Sequence, residues 1–233
     1  MGGNQSIRGV VYVEFLIVII PLLILMFSLV QMSLFLSAGI LTQLAANKAA
    51  RSAMVILSDD HPDATYDEKA LNQVGTGANG IEAYRNIPKK SRYHAIRLAA
   101  RAPLIPVSPT LESATSESIE GALRNVGIFE TGADLANMGW TWFFTGLGFV
   151  NGKDEYVATI NPGDDVRVQV VFLYPCFIPI GRSLTCHSWG DLPKEDMDLI
   201  KLYGNQTAIA IFGMAGLRYV TLRAEAPIPR WDR

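Results

Sequence analysis

The chain has 233 residues, with 20 Lys and Arg against 22 Asp and Glu, so the net charge is −2, and the near-neutral balance excludes the dense basic surface that a nucleic-acid binder needs. Two cysteines exclude a disulfide-rich scaffold and a four-thiolate metal site. Only 18% of residues are charged and the mean hydropathy is +0.21; apolar residues at that level exclude whole-chain disorder and point to a membrane span.

The apolar excess lies at the start. From Val10 to Val30 the only polar interruptions are Glu14 and Ser28. The run of about 21 residues corresponds to about 31 Å of helix, the thickness of a bilayer core. It is longer than a secretory h-region, and Leu36-Ser37-Ala38 lacks the small residue an A-x-A site requires. A retained transmembrane helix is therefore expected. Pro21 falls inside it, where a membrane helix tolerates proline at the cost of a kink.

Glu14 stands out in this run because an intramembrane carboxylate is costly, about 3 kcal/mol on insertion scales. One reading places it near the interface, in the first helical turns, where the helix dipole favours negative charge. The other uses the residues in front. A short polar opening, Met1 to Gly9, ends in Arg8-Gly9. A cut after Gly9 would give Val10 a new α-amino charge and make Glu14 the fifth mature residue. Val10 and Glu14 are i and i+4 neighbours in one helix. Between staggered helices, Glu14 of one subunit could reach the amine of the next, each charge relieving the other's desolvation.

Gly9, four residues and then Glu14 resembles the prepilin peptidase site of type IV pilins. Phe15 after the glutamate is similar to the Tad pilus branch, whose pilins carry Glu-Tyr or Glu-Phe there. The stretch Arg8-Gly9-Val10-Val11-Tyr12-Val13-Glu14-Phe15-Leu16-Ile17-Val18-Ile19-Ile20-Pro21-Leu22-Leu23 resembles TadE-like minor pseudopilins. So does the alanine-rich continuation to Arg51. The resemblance covers roughly residues 7–57, with a fainter match near 164–226; about 58–155 resembles nothing recognised. It implies processing at Gly9 and Val10, an assembly charge at Glu14 and Phe15, and a prepilin peptidase and other pilins as partners. It also implies an N-terminus inside and a C-terminal domain outside the bacterial inner membrane. The charges flanking the span, Arg8 before and Lys48 and Arg51 after, do not decide the topology alone.

The helix is expected to continue past the span. Ala45, Ala49 and Ala53 recur every four residues, with Ala46 and Ala50 as a second row, and small residues at that spacing allow close helix approach. Ser58-Asp59-Asp60-His61-Pro62 reads as the stop. The expected helix, residues 10–57, is about 75 Å long.

Residues 59–110 read as irregular with short helical pieces. Ser91 to Arg101 has helical character, and Pro103, Pro106 and Pro109 suggest an extended connector. Thr110 to Asn125 reads as a helix ended by Gly127. Trp140, Trp142, Phe143, Phe144 and Phe149 form an aromatic group expected in the core, the alternative being a partner contact. Tyr156 to Ile160 is a candidate strand, followed by an Asn161-Pro162-Gly163-Asp164 turn. Asp165 to Tyr174 is the clearest strand, alternating Val166, Val168, Val170, Phe172 and Tyr174 with Arg167 and Gln169. Residues 195–212 look helical, and Leu217 to Ala226 is the final strand.

Cys176 and Cys186 flank a segment punctuated by proline and glycine. Outside the cytoplasm, oxidation to each other is expected. The alternative, a metal held by Cys176, Cys186 and His187, lacks a fourth ligand. Gly75-x-Gly77-x-x-Gly80 matches a dinucleotide fingerprint only by letter, since no strand precedes it and no acidic residue lies in 95–105. Asp59, Asp60, Asp63, Asp67 and Glu68 fail calcium-loop spacing because Ala64 and Ala70 stand where glycine and glutamate belong.

The expected architecture is α+β: a leader (1–9), a pilin-like helix (10–57) spanning a membrane at about 10–31, and an extracytoplasmic domain (58–233) with an antiparallel sheet. The expected function is structural, with no cofactor, metal or nucleic acid. The alternative is a single-pass anchored periplasmic enzyme or ligand-binding domain.

Overall fold

The computed structural model describes residues 5–58, 73–75, 80–84, 87, 91–108, 141, 144–161, 163–176, 186–191, 193–203 and 218–229. The candidate helix at Thr110–Asn125, the acidic group at 59–68, Gly77 of the glycine-rich stretch, and Trp140, Trp142 and Phe143 lie outside these.

Helix α1 runs unbroken from Gln5 to Ser58, 54 residues, and passes through Pro21. It stops where the Ser58-Asp59-Asp60-His61-Pro62 signal placed its end, and it starts before Gly9. Helix α2, Arg92–Arg101, begins at Ser91, whose hydroxyl accepts from the His94 N–H at 3.1 Å. Its Ile96 and Ala100 are fully buried. The described part of the proline-rich stretch behind it is not extended. Ala102–Val107 is a 3₁₀ helix with Pro103 in its first turn. A proline every third residue matches three residues per turn, and the fixed φ of proline suits a helix start.

The sheet has three antiparallel strands in the order β1-β2-β3: β1 Thr145–Asn151, β2 Val166–Pro175 and β3 Tyr219–Pro227. Register pairs include Leu147 with Val170 and Gln169 with Glu225. β2 and β3 occupy the segments read as strands, Asp165 to Tyr174 and Leu217 to Ala226, to within two residues at each end. β1 was not expected, and the segment expected as a strand, Tyr156 to Ile160, is instead a return held by isolated bridges from Tyr156 to Val150 and from Thr159 to Gln73. The turn before β2 is present: Asp164 N–H reaches the Asn161 carbonyl at 3.0 Å, and Gly163 takes φ of +88°, as the third position of a Pro-Gly turn requires.

One sheet face packs on α1 and α2. Phe149 lies among Tyr84 and Tyr93, whose hydroxyl donates to the Leu147 carbonyl at 2.8 Å. Tyr84 donates to the Val157 carbonyl and accepts from the Phe149 N–H at 3.1 Å, and burial raises its phenol pKa. The other face receives helix α3, Lys194–Tyr203, through Leu199. The core therefore has three layers: α1 with α2, the sheet, and α3.

Candidate functional site: the N-terminal helix

The sequence concentrates its unusual chemistry in the first half of α1. Gly9 and Val10 both lie in helical backbone, so positions 10 and 14 stand one turn apart along the same helix side. Glu14 is exposed, and Tyr12 and Phe15 are 72% and 61% exposed. The large apolar side chains that follow, from Leu16 to Met26, also face outward. Such a surface is unstable in water and suited to lipid or to other apolar helices. Within the described residues, one helix is long and apolar enough to cross a membrane, Tyr12–Leu57, near the N-terminus.

The second half of α1 is two-faced. Ala38, Ala45, Ala46, Ala49 and Ala53 are fully buried, and Ala50 nearly so. They pack against α2, the 3₁₀ helix behind it, and β3 of the same chain. The close approach that the alanine spacing foretold is therefore made within the chain. Absence of side chains beyond Cβ lets the α2 backbone and the sheet sit near the α1 axis. The opposite face keeps Leu36, Ile40, Leu44 and Val55 outside, with Ile40 71% exposed.

Cys176 and Cys186 are bonded to each other, with Cα atoms 6.5 Å apart. His187 lies beside this bond but makes a backbone pair with Tyr219. Among the described residues no cluster of three or more His, Cys, Asp or Glu could hold a metal ion. Of the aromatic group, the described members Phe144 and Phe149 are fully buried, in the core.

One feature has no signal in the pattern of apolar residues. A chain of polar contacts crosses the α3 side of the sheet. Tyr156 donates to Gln169 at 2.6 Å, Gln169 donates to Glu225 at 2.9 Å, and Arg167 bridges Glu225 at 3.0 Å and Asp154 at 2.8 Å. Burial pushes the Tyr156 phenol up to about 12, so it stays protonated and donating. The chain ties the connection between β1 and β2 to β2 and β3.

Comparison with known families places a TadE-like protein model on residues 9–51. The match lies within the roughly 7–57 over which the resemblance was read from the sequence, and it does not reach the fainter likeness near 164–226. No curated protein and no solved structure matches the chain.

Proposed function

We propose that the chain is a structural minor pilin of a Tad-like pilus or secretion machine, anchored by α1 in the bacterial inner membrane with its sheet domain on the periplasmic side. In this reading a prepilin peptidase cuts after Gly9, and Val10 becomes the mature N-terminus. Glu14 then pairs with the Val10 amine of a neighbouring subunit, and Phe15 packs beside it in the apolar bundle. The observation that carries the reading is the coincidence of three features in one segment: the Gly9–Glu14 spacing, an exposed apolar helix, and the TadE-like match over 9–51.

The structure limits where partner helices can pack. The alanine rows of α1 are occupied by the chain's own α2 and sheet. Partners are left the exposed apolar span and the outward stripe of Leu36, Ile40, Leu44 and Val55.

Mass spectrometry of protein extracted from membranes of cells with a prepilin peptidase tests the processing step. A mature chain starting at Val10 is expected, and an intact Met1 opposes it. Gly9→Trp should block the cut without preventing insertion, since the span is intact. Glu14→Ala should leave the cut largely in place and abolish co-purification with other pilins, because the neighbouring amine loses its counter-charge. Wild-type co-assembly of Glu14→Ala would remove the pairing role and leave the interfacial reading of Glu14.

A further inference from the structure

We propose that the outer edge of β3, at Thr221 and Arg223, is a strand-addition site for an extended segment of a partner protein that is apolar on one face and carries an acid opposite Arg223. The inference is independent of processing at Gly9 and of the pairing role of Glu14.

Two contacts fix which residues of β3 face outward. The Cys176 N–H donates to the Arg218 carbonyl at 2.9 Å, and the Ile228 N–H donates to the Val166 carbonyl at 3.0 Å. Bonded residues alternate in an antiparallel ladder, so even-numbered residues of β3 bond to β2 and odd-numbered ones present N–H and C=O to the outer edge. At the two ends the outward groups are engaged. Tyr219 exchanges both bonds with His187 at 2.9 Å, and the Glu225 carbonyl accepts from Gln43. Between them, the main-chain N–H and C=O of Thr221 and Arg223 have no hydrogen-bond partner among the described residues. Val220, Thr221 and Leu222 are partly exposed there, and Arg223 is exposed.

The opposite edge of the sheet is closed. Tyr93 donates to the Leu147 carbonyl, and Phe149 is met by the Tyr84 hydroxyl and the Val157 N–H. The β3 edge is therefore the side on which this sheet can grow.

The two sides of that edge differ in chemistry. Val220 and Leu222 pair with Tyr174 and Phe172 and share their side of the sheet, toward α1. Gln43, bonded to the edge at Glu225, shares a helix stripe with Ile40 and Leu36. Both are exposed, at 71% and 61%, so an apolar wall flanks the edge on this side. Thr221 and Arg223 stand on the α3 side. Arg223 reaches Glu225 only at 3.8 Å, and Glu225 is already held by Arg167 at 3.0 Å and Gln169 at 2.9 Å. The exposed guanidinium can therefore take a further carboxylate.

A strand added antiparallel exchanges bonds with both Thr221 and Arg223, and residues directly opposite share a sheet face. It places an acid opposite Arg223 and apolar residues opposite Val220 and Leu222. A charge on a strand edge repels like-charged strands and admits the complementary one. A second copy fits less well. β3 runs the same way as α1, from Val220, paired with Tyr174 beside Phe35, to Glu225 at Gln43. Copies with parallel α1 helices would pair these edges in parallel, the weaker arrangement, with an arginine on each.

The test uses the full chain in detergent micelles and a fluorescently labelled peptide, Val-Glu-Val-Thr-Val, followed by anisotropy. Saturable binding is expected, weakened at least about tenfold by N-methylation at the peptide's Glu and Thr, whose N–H groups face the edge. Thr221→Pro should weaken it as much while the β2–β3 ladder survives, because that N–H points away from β2. Arg223→Glu should reverse the preference, so that Val-Lys-Val-Thr-Val binds better than the Glu peptide. Absence of saturable binding, or binding indifferent to either Thr221→Pro or the charge reversal, overturns the proposal. A dimer that excludes the peptide and is lost in Thr221→Pro assigns the edge to a second copy and overturns it as well.

Discussion

Gln43 of α1 donates from Nε2 to the main-chain oxygen of Glu225 in β3 at 3.0 Å, joining residues 182 positions apart. It does so beside the fully buried Ala45 and Ala46. The bond and the alanine face together make α1 a layer of the domain as well as its anchor.

Enlarging that face should loosen the domain from its helix. Ala49 is fully buried, so Ala49→Leu adds three carbons to a filled site and should cost about 1–3 kcal/mol. Ile40→Ala, on the opposite and exposed face, should change stability by about 0.5 kcal/mol or less. Denaturant melts in detergent would separate the two, and equal effects would contradict the seating of α1.

Gly148 of β1 has no room for a side chain. A Cβ there would lie 2.5 Å from Tyr156 Cε1 and 2.9 Å from Cδ1. Gly148→Ala should displace the Tyr156 ring and break its bond to Gln169, at a cost of about 1–3 kcal/mol. Adding Tyr156→Ala should remove the steric part of the penalty, and a thermodynamic cycle over the two sites would measure it.

Asp196 on α3 is buried and its Oδ1 has no hydrogen-bond partner. Burial raises its pKa, with Glu195 adding to the effect, while Arg223 and a bond from Thr221 oppose it. A raised folded-state pKa means that the charged form destabilises the fold. The stability linked to this group is full below the ordinary value of 3.8 and is lost as pH rises through the folded value. Asp196→Asn should therefore be more stable than wild type at pH 7, with the gap closing as the pH falls toward 3.8. Melts across that range would check it; a gap that grows on acidification would contradict the assignment.

His94 shifts in the other direction. Burial, then the charges of Arg97 and Arg101, lower its pKa below the ordinary 6.5. Both disfavour the charged ring in the folded protein, so stability falls as pH drops below 6.5 toward the folded value. His94→Gln should flatten this part of the profile, which NMR titration of the imidazole and pH-dependent melts would show.

Removing the Cys176–Cys186 bond, by reductant or by a double serine variant, should cost about 2–3 kcal/mol for a loop of this length. The untreated folded protein should resist alkylation at both positions, whereas free labelling of both thiols would contradict the bond.

The elements legible in the sequence were those whose pattern carries its own physics. A run of about 21 mostly apolar residues suits a helix in lipid, residues 91–101 carry helical character, and the alternation of Val166, Val168 and Val170 sets one face of a strand. β1 escaped because its alternate positions, Gly146 and Gly148, carry no side chains to pattern. They are small because Leu199 and Tyr156 lie against them, 3.1 Å from a Cβ at Gly146 in the case of Leu199. The Tyr156 to Ile160 segment read as a strand by composition, yet with β2 flanked by β1 and β3 its partners are single bridges.

The candidate site divides along the same line. Sequence by itself determined the span, Gly9 and Glu14 at their fixed spacing, and the alanine rows, because helical periodicity is local and depends on nothing distant. Which neighbour those alanines meet was decided only in the tertiary structure. Small residues every four positions permit close approach by any helix or sheet, and α2 and β3 of the same chain are tethered at far higher effective concentration than a second subunit. The alanine face is therefore filled from within, and the outward face of α1 is what remains for partners.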